Sequence, residues 1–142
     1  MTTQAASTGE EAVGGWPGHY PPQCPPSDAR PANGIYLRYV DTVPPSSDED
    51  TKSHLELKLQ GHPRYKNRDF GDPCMAAGYS VFDTPASAKQ VLRIAKALRA
   101  KQLTRIDVTG SGVMKQTGSN QGHYTWWRPL GDTSWANSEI LT

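Results

Sequence analysis

The sequence predicts an α+β protein: a single small domain with a mainly antiparallel sheet, one long and one short helix, and a flexible N-terminal arm. Three observations predict it. The chain has 142 residues, which suits one domain, and eight of its 12 prolines precede residue 46. Several short stretches are rich in β-branched and aromatic residues, which is typical of strands, and two others carry helix-capping residues. We therefore assign residues 1–31 to the arm and 32–142 to the globular domain.

The predicted arm consists mainly of Gly, Pro, Ser and Thr, which bury too little apolar surface to offset the entropy lost on ordering. Its run GWPGHYPPQCPP places Trp16, His19 and Tyr20 among prolines. Two interpretations stay open. The run either docks its aromatic side chains onto the domain or a partner, or serves as a linker.

The first half of the domain opens with the turn signal Asn33-Gly34 and the run IYLRYV, which predicts a strand with Arg38 on the face of Tyr36. A short helix is expected next, capped by Ser46 or Ser47, with three acids that complement the helix dipole. In residues 54–60, leucine alternates with polar residues. This period of two predicts a strand.

The middle of the chain predicts a loop, a strand and a helix. Residues 61–74 are basic and interrupted by Gly and Pro, which indicates a mobile loop. YSVFD, after Gly78, predicts a short strand. A helix over 85–100 follows, with Asp83 or Thr84 as its cap and Pro85 at its first position.

The last third predicts a three-strand meander. LTRIDVT, VMKQT and HYTWWR each have strand composition, and the glycine-containing runs GSG and GSNQG separate them. The final segment, 131–142, is expected to pack Trp135 and Ile140 onto the sheet.

The charge distribution predicts a basic domain behind an acidic leader. Residues 1–50 carry seven acids and two bases, and residues 51–142 carry thirteen bases and seven acids, within a net charge of +1. The chain starts without a basic and apolar signal segment and has no run long enough to span a membrane, so we expect a cytoplasmic protein that does not bind membranes. In that compartment Cys24 and Cys74 are expected to be free thiols.

The spacing of the four histidines does not match a metal-binding motif, so no metal is predicted. Walker, nucleophile-elbow and dinucleotide fingerprints are also missing from the sequence. Recognised phosphate-binding loops therefore do not explain any function of this chain.

Two adjacent tryptophans, Trp126 and Trp127, must face opposite ways if their strand is regular. Either they pack on opposite sides of one sheet, or one is exposed as an aromatic platform beside His123 and Arg128.

Basic side chains beside aromatic ones suggest contact with nucleic-acid phosphates and bases. The sequence pI of about 7.8 weighs against a dedicated nucleic-acid module. The predicted basic surface consists of Arg64, Lys66, Arg68, Lys89, Arg93 and Lys96.

The runs GIYLRYV, AGYSVFDTPASAKQVLRIA and HYTWWRP resemble small bacterial proteins of uncharacterised function that contain a TWW strand. Their layout also resembles the ADP-ribosyltransferase fold, in which an Arg or His on the first strand and a Ser on a later strand hold NAD. Arg38 and Ser80 match that layout. The family's late glutamate has no evident counterpart, because the acids after the long helix are Asp107, Asp132 and Glu139.

These residues suggest a ligand-binding site. Arg38 would pair with a phosphate or carboxylate, Ser80 would hydrogen-bond the ligand, and Tyr79 or Trp126 would stack on a ring. His123 is the candidate acid or base. Whether Arg38, Ser80 and His123 converge in one pocket decides between a nucleotide site and a flat patch for a protein partner.

The leading functional hypothesis is a small binding or interaction module with an aromatic and basic surface, a protein partner and no cofactor. The alternatives are an ADP-ribosyltransferase-like protein or enzyme that binds NAD, and a nucleic-acid-binding protein.

Overall fold

A seven-stranded antiparallel sheet, in the order β1-β5-β6-β3-β2-β4-β7, forms the centre of the computed structural model, which describes residues 15–141. The predicted α+β class is confirmed. The strands are β1 Arg30–Pro31, β2 Ile35–Val40, β3 Tyr79–Phe82, β4 Gln102–Asp107, β5 Val113–Gln116, β6 His123–Trp127 and β7 Glu139–Ile140.

The sheet curls because one stretch of chain, residues 30–40, supplies both β1 and β2. β1 pairs with β5, whereas β2 pairs with β3 and β4. At the bend between β1 and β2, the Ala32 amide donates to the Gly112 carbonyl at 2.9 Å, and the Val108 amide donates to the Gly34 carbonyl at 2.9 Å. Gly34 has a φ of 107°, which side chains disfavour. The two ends of the sheet therefore approach one another.

This bend explains why the predicted three-strand meander is wrong. β5 and β6 do form a hairpin, but β4 pairs with β2 and β7 and does not pair with β5. Because the stretch 30–40 changes direction at residues 32–34, strands that are close in sequence pair with different halves of it. Periodicity shows that a strand exists but does not show which strand it pairs with.

Within residues 15–141, four short helices accompany the sheet: α1 Asp48–Thr51, α2 His54–Leu59, α3 Pro73–Ala77 and α4 Pro85–Gln90. Ser47 caps α1 through the Asp50 amide, as predicted. The predicted strand over 54–60 is wrong, because a capping box forms there. The Ser53 hydroxyl accepts from the Glu56 amide, and the Glu56 carboxylate accepts from the Ser53 amide. These hydrogen bonds satisfy amide donors at the helix N-terminus, and they stabilise a helix here in place of the strand that the alternating pattern predicts.

The predicted helix over 85–100 is interrupted. It begins at Pro85 after the Thr84 cap, but the α-helix ends at Gln90, and two 3-10 turns, Val91–Arg93 and Lys96–Ala100, follow. A continuous helix would align Lys89 with Arg93, four residues apart, and like charges at that spacing repel. This repulsion, of about 0.2–0.5 kcal/mol, weakens a continuous helix over 85–100.

The core lies on both sides of the sheet, and each side holds one of the adjacent tryptophans. Trp126 packs with Tyr79, Ile106 and other apolar residues, while Trp127 packs against α2 and α3. Both indoles are fully buried, at 0% exposure. Of the two interpretations of this strand, the one with an exposed aromatic platform is therefore wrong, and the one in which the two side chains pack on opposite faces is confirmed.

The described part of the arm lies against the domain. Trp16 and Tyr20 pack on the cluster around Trp127, and the Tyr20 hydroxyl donates to the Arg128 carbonyl at 3.0 Å. Cys24 and Cys74 form a disulfide that joins the arm to α3, so the prediction of free thiols is wrong. Their sequence separation gave no sign of the pairing, because docking of the arm brings the two residues together. The first fourteen residues of the predicted arm lie outside the described residues.

Between residues 15 and 141, no helix has both the length and the apolar character needed to cross a bilayer.

Candidate functional site

A cavity of about 600 Å³ lies over β2, β3 and β6, between the sheet and the segments that cover it. Its lining includes residues of α1, α2 and α3 and of the basic loop that ends at residue 72. The 3-10 turns that follow α4 also line it. The size falls in the range of ordinary small-molecule sites, roughly 300–1,000 Å³. The sheet supplies the floor, so the strand residues that face it are held by the ladder.

The cavity brings together four of the five residues predicted to bind a ligand: Arg38 from β2, Tyr79 and Ser80 from β3, and His123 from β6. Their strands are neighbours in the sheet, with Ser80 opposite Thr125 and Phe82 opposite His123. Trp126 is not among the lining residues. It is buried in the core, and its indole N–H donates to the Ser111 carbonyl at 2.7 Å. Stacking of Trp126 on a ligand is therefore excluded by its position.

The Arg38 guanidinium is fixed at the cavity by backbone carbonyls. Nη1 donates to the Ser80 carbonyl at 3.1 Å and Nη2 donates to the Asp50 carbonyl at 3.2 Å. The group also lies over the rings of Tyr79 and Trp135, at 5.2 and 5.5 Å from their centroids. Burial lowers the pKa of Arg38 to about 10, against smaller raising effects of Tyr79 and Asp50. The side chain is therefore positive at neutral pH, yet its Nε has no hydrogen-bond partner.

The charges on the cavity wall are unequal. One carboxylate, Glu49, stands among five cationic side chains: Arg38, Lys52, Arg64, Arg68 and Lys101.

Three of these cations have acidic partners, at 2.7 to 3.5 Å from nitrogen to oxygen. The pairs are Lys101 with Asp41, Arg64 with Glu49, and Lys52 with Asp48. Across residues 15–141, neither Arg38 nor Arg68 has a carboxylate within ion-pair distance. A positive excess therefore remains in the cavity, and it favours an anionic ligand.

An aromatic wall adjoins the cationic one. The His54 imidazole stacks on Tyr65, with centroids 4.8 Å apart and planes 23° apart, and it also stacks on Phe70 at 5.9 Å. Burial, followed by the charges of Arg68 and Arg38, lowers the pKa of His54, which favours the neutral ring at physiological pH. The cavity thus combines cations with flat ring surfaces.

Sequence reasoning missed His54 and Tyr65 as site residues. The alternating leucines predict a strand at His54, and the interrupted basic run predicts a mobile loop at Tyr65. The capping-box pattern, Ser53 followed three residues later by Glu56, is the sequence signal that could have identified α2.

Ser80 and His123 are hydrogen-bonded to each other within the cavity, with 2.9 Å between the Ser80 Oγ and the His123 Nε2. The other ring nitrogen, Nδ1, lies 3.0 Å from the Thr117 carbonyl oxygen and 3.1 Å from the Thr117 hydroxyl. Ser80 is exposed, whereas its strand neighbours Tyr79 and Val81 are buried. The hydroxyl is thus held by a histidine and open to the cavity.

The predicted basic surface divides into two groups. Arg64 and Arg68 line the cavity, whereas the remaining residues do not and are exposed elsewhere. Those are Lys66, Lys89, Arg93 and Lys96.

The late acids named in the sequence lie outside the cavity lining. Asp132 binds Arg128 at 2.6 Å, Glu139 pairs with Arg105, and Asp107 accepts from the Thr109 amide. Glu49, from α1, is the acid that lines the cavity. In the part of the chain that the structure describes, no group of three or more side chains could hold a metal ion.

Comparisons of the chain with protein-family models, with curated proteins and with solved structures found no match.

Proposed function

We propose that the cavity binds a small anionic ligand of the nucleotide class, with NAD as the first candidate. The observation that carries the proposal is Arg38. It lines the cavity beside Ser80 and Tyr79, and no carboxylate of the described residues lies within ion-pair distance of its guanidinium. A charged group held in this way loses solvation, and a phosphate that binds to it replaces what was lost.

The remaining lining fits the parts of a nucleotide. Arg68 supplies a second cation without an acidic partner, suited to another phosphate. The exposed His54 side chain, which lines the cavity, offers a ring against which a base can pack. Selective binding of a dinucleotide needs both kinds of contact. Cationic side chains alone would bind inorganic phosphate as well as they bind the phosphates of a nucleotide.

Convergence of Arg38, Ser80 and His123 favours this ligand site over the protein-interaction module. That module depended on an exposed aromatic platform, and both Trp126 and Trp127 are buried. A nucleic-acid surface has less support, because the basic residues are divided between the cavity and separate exposed positions.

The resemblance to the ADP-ribosyltransferase fold is the reason for choosing NAD first. It rests on Arg38 and Ser80, and the family's late glutamate still has no counterpart at the cavity. Glu49 lies there but is paired with Arg64 at 2.8 Å. The proposal is therefore one of binding and not of ADP-ribosyl transfer.

The Cys24–Cys74 disulfide is evidence about the compartment in which the protein would bind this ligand. Disulfides persist in oxidising compartments and are rare in the cytosol. We therefore favour an oxidising compartment over the predicted cytoplasm. Alkylation of free thiols in whole cells before lysis tests this, because a cytosolic protein would be modified at both cysteines.

An amide-shift titration of labelled protein with NAD tests the proposal. We expect saturable shifts at residues 36–39 and 78–81 and at His123, with weaker binding of ADP and little of nicotinamide. Sodium phosphate at matched ionic strength serves as the control for unspecific anion binding. If millimolar NAD shifts no cavity residue, or if phosphate gives the same shifts at the same concentration, the proposal fails.

A further inference from the structure

We propose that Ser80 and His123 form a nucleophile and base pair that hydrolyses small esters carrying a negative charge. This activity goes beyond ligand binding. It uses the same cavity as the proposed function but does not require that the bound ligand be NAD.

The hydrogen bonds of His123 define which nitrogen carries the proton. The Thr117 carbonyl, 3.0 Å from Nδ1, can only accept, so the proton lies on Nδ1. The Nε2 lone pair then faces the Ser80 hydroxyl at 2.9 Å and accepts its proton. A third group thus orients the base, as in other activated serine nucleophiles.

Two further contacts hold this arrangement in place. The His123 ring packs against Phe82, with 5.3 Å between the ring centroids. The Thr117 hydroxyl is hydrogen-bonded to the Thr125 hydroxyl at 2.8 Å, which fixes the turn that carries the accepting carbonyl. The imidazole therefore needs little rearrangement when it accepts a proton.

Ser80 is open to a substrate. It is exposed, it lines the cavity, and its own carbonyl is held by Arg38 Nη1 at 3.1 Å. The cavity that it lines, of about 600 Å³, is large enough for a small ester.

The charge of the cavity defines the substrate class. Within residues 15–141, Arg38 and Arg68 have no carboxylate within ion-pair distance, and both lie in the same cavity lining as Ser80. They favour an ester with a carboxylate or phosphate substituent over a neutral one. The positive field also stabilises the oxyanion that forms when the hydroxyl oxygen adds to a carbonyl.

The reaction has two balanced halves. The Ser80 oxygen bonds to the acyl carbon while Nε2 of His123 takes the hydroxyl proton. The bond from that carbon to the leaving oxygen then breaks, and the leaving oxygen receives the proton from Nε2. In the second half, water gives its proton to Nε2 and its oxygen to the acyl carbon. The Ser80 oxygen departs and regains the proton, releasing the carboxylic acid.

Labelling with a fluorophosphonate probe tests the nucleophile. We expect the full-length wild-type protein to be modified at Ser80, as identified by peptide mass spectrometry, and H123Q to be modified at least about a hundredfold more slowly. S119A, which replaces an exposed serine outside the cavity, is the matched control and should label at the wild-type rate. Because the wild-type peptide alone identifies the modified residue, the test does not depend on the folding of a variant. Absence of labelling, labelling elsewhere, or an unchanged rate in H123Q would overturn the pair.

Hydrolysis of two aryl acetates tests the substrate class. We expect 3-acetoxybenzoate to be cleaved at least about tenfold faster than phenyl acetate, after correction for the uncatalysed rates, because its carboxylate makes a charge-assisted contact with a cavity arginine. Equal rates would overturn the preference for charge. S80A should lose hydrolysis. NAD binding is measured separately on the wild-type protein by the amide-shift titration, so failure of this inference and failure of the proposed function are distinguishable.

Discussion

The Arg38 guanidinium and the Ser80 carbonyl are joined across two adjacent strands by a hydrogen bond of 3.1 Å from Nη1. A second carbonyl, that of Asp50, holds Nη2 at 3.2 Å. Backbone carbonyls orient the cation without cancelling its charge, and burial leaves the pKa of Arg38 at about 10. A full positive charge is thus kept inside the cavity at neutral pH, and this is the basis of the first prediction.

R38Q should weaken NAD binding by at least about tenfold. Glutamine keeps an amide donor but removes the charge, and a hydrogen bond to a charged group contributes about 1.5–3 kcal/mol. Isothermal titration calorimetry measures the change. R93Q, which alters an exposed arginine outside the cavity, is the control and should bind as the wild type does. Equal dissociation constants for R38Q and the wild type would contradict the assignment of Arg38 as the anion anchor.

The disulfide predicts a stability effect that sequence spacing did not suggest. Cys24 and Cys74 are 50 positions apart, and closing a loop of that length removes unfolded-state entropy worth about 4 kcal/mol in the chain-entropy model. Because measured effects commonly fall below that model, we expect C24S/C74S to lose about 2–4 kcal/mol of unfolding free energy in urea. The wild type under reducing conditions should match the double variant. If reduction leaves the urea midpoint unchanged, the crosslink does not hold the arm to α3.

The next prediction concerns the contribution of the Trp127 side chain to the stability of the fold. It is fully buried, and its indole N–H donates to the Cys74 carbonyl at 2.8 Å. W127A should cost about 3–5 kcal/mol, as large-to-small core changes do. W127F, which keeps an aromatic ring but loses the donor, should cost less. W16F, at the half-buried Trp16, is the control and should lose the least unfolding free energy. Urea unfolding of the three variants gives the order, and a W16F loss as large as that of W127A would contradict it.

The strands were the part of the fold that sequence predicted best. The run 35–40, the YSVF run and HYTWW are strands, because alternation and β-branched residues report directly on a half-buried ladder. The strand predicted over residues 54–60 is wrong because alternating leucines also fit a short helix. The capping box stabilises that helix. Strand order failed because it depends on the bend at residues 32–34, which brings distant segments together.

The site was partly predictable for a similar reason. Arg38, Ser80 and His123 lie on strands that the sequence predicts, and the sheet order places β2, β3 and β6 side by side, which brings the three residues together. His54 and Tyr65 were missed because the cavity wall is built from helices and turns whose packing no local pattern encodes. Trp126 was misplaced because burial of both adjacent tryptophans requires a second core on the far face, which the docked arm completes.

Tyr79 predicts a loss of stability at alkaline pH. Burial, followed by the nearby Glu56 carboxylate, raises the pKa of Tyr79 from 10.0 to about 12, while Arg128 and Arg38 act in the opposite direction. The phenol donates to Glu56 at 3.1 Å and to the Thr51 carbonyl at 3.2 Å, so it must keep its proton in the folded state.

The sign of the effect follows from proton binding. Below pH 10 the phenol is protonated in both states, and its contribution to stability is fully present. Between about pH 10 and 12 the unfolded chain loses the proton and the folded protein keeps it, so unfolding becomes easier as pH rises. One pKa unit corresponds to about 1.4 kcal/mol, which gives a loss of about 2–3 kcal/mol across this interval.

Urea unfolding at a series of pH values measures this loss. Tyr20, whose pKa is also raised by burial, contributes a similar alkaline loss, so the comparison that isolates Tyr79 is the wild type against Y79F. Y79F should be less stable than the wild type at neutral pH, because Glu56 and Thr51 lose a donor, and the gap should narrow above pH 10 as the wild type loses its advantage. A gap that stays constant from neutral to alkaline pH would mean that Tyr79 titrates equally in the folded and unfolded states, and the buried hydrogen bonds to Glu56 and Thr51 would not control its proton.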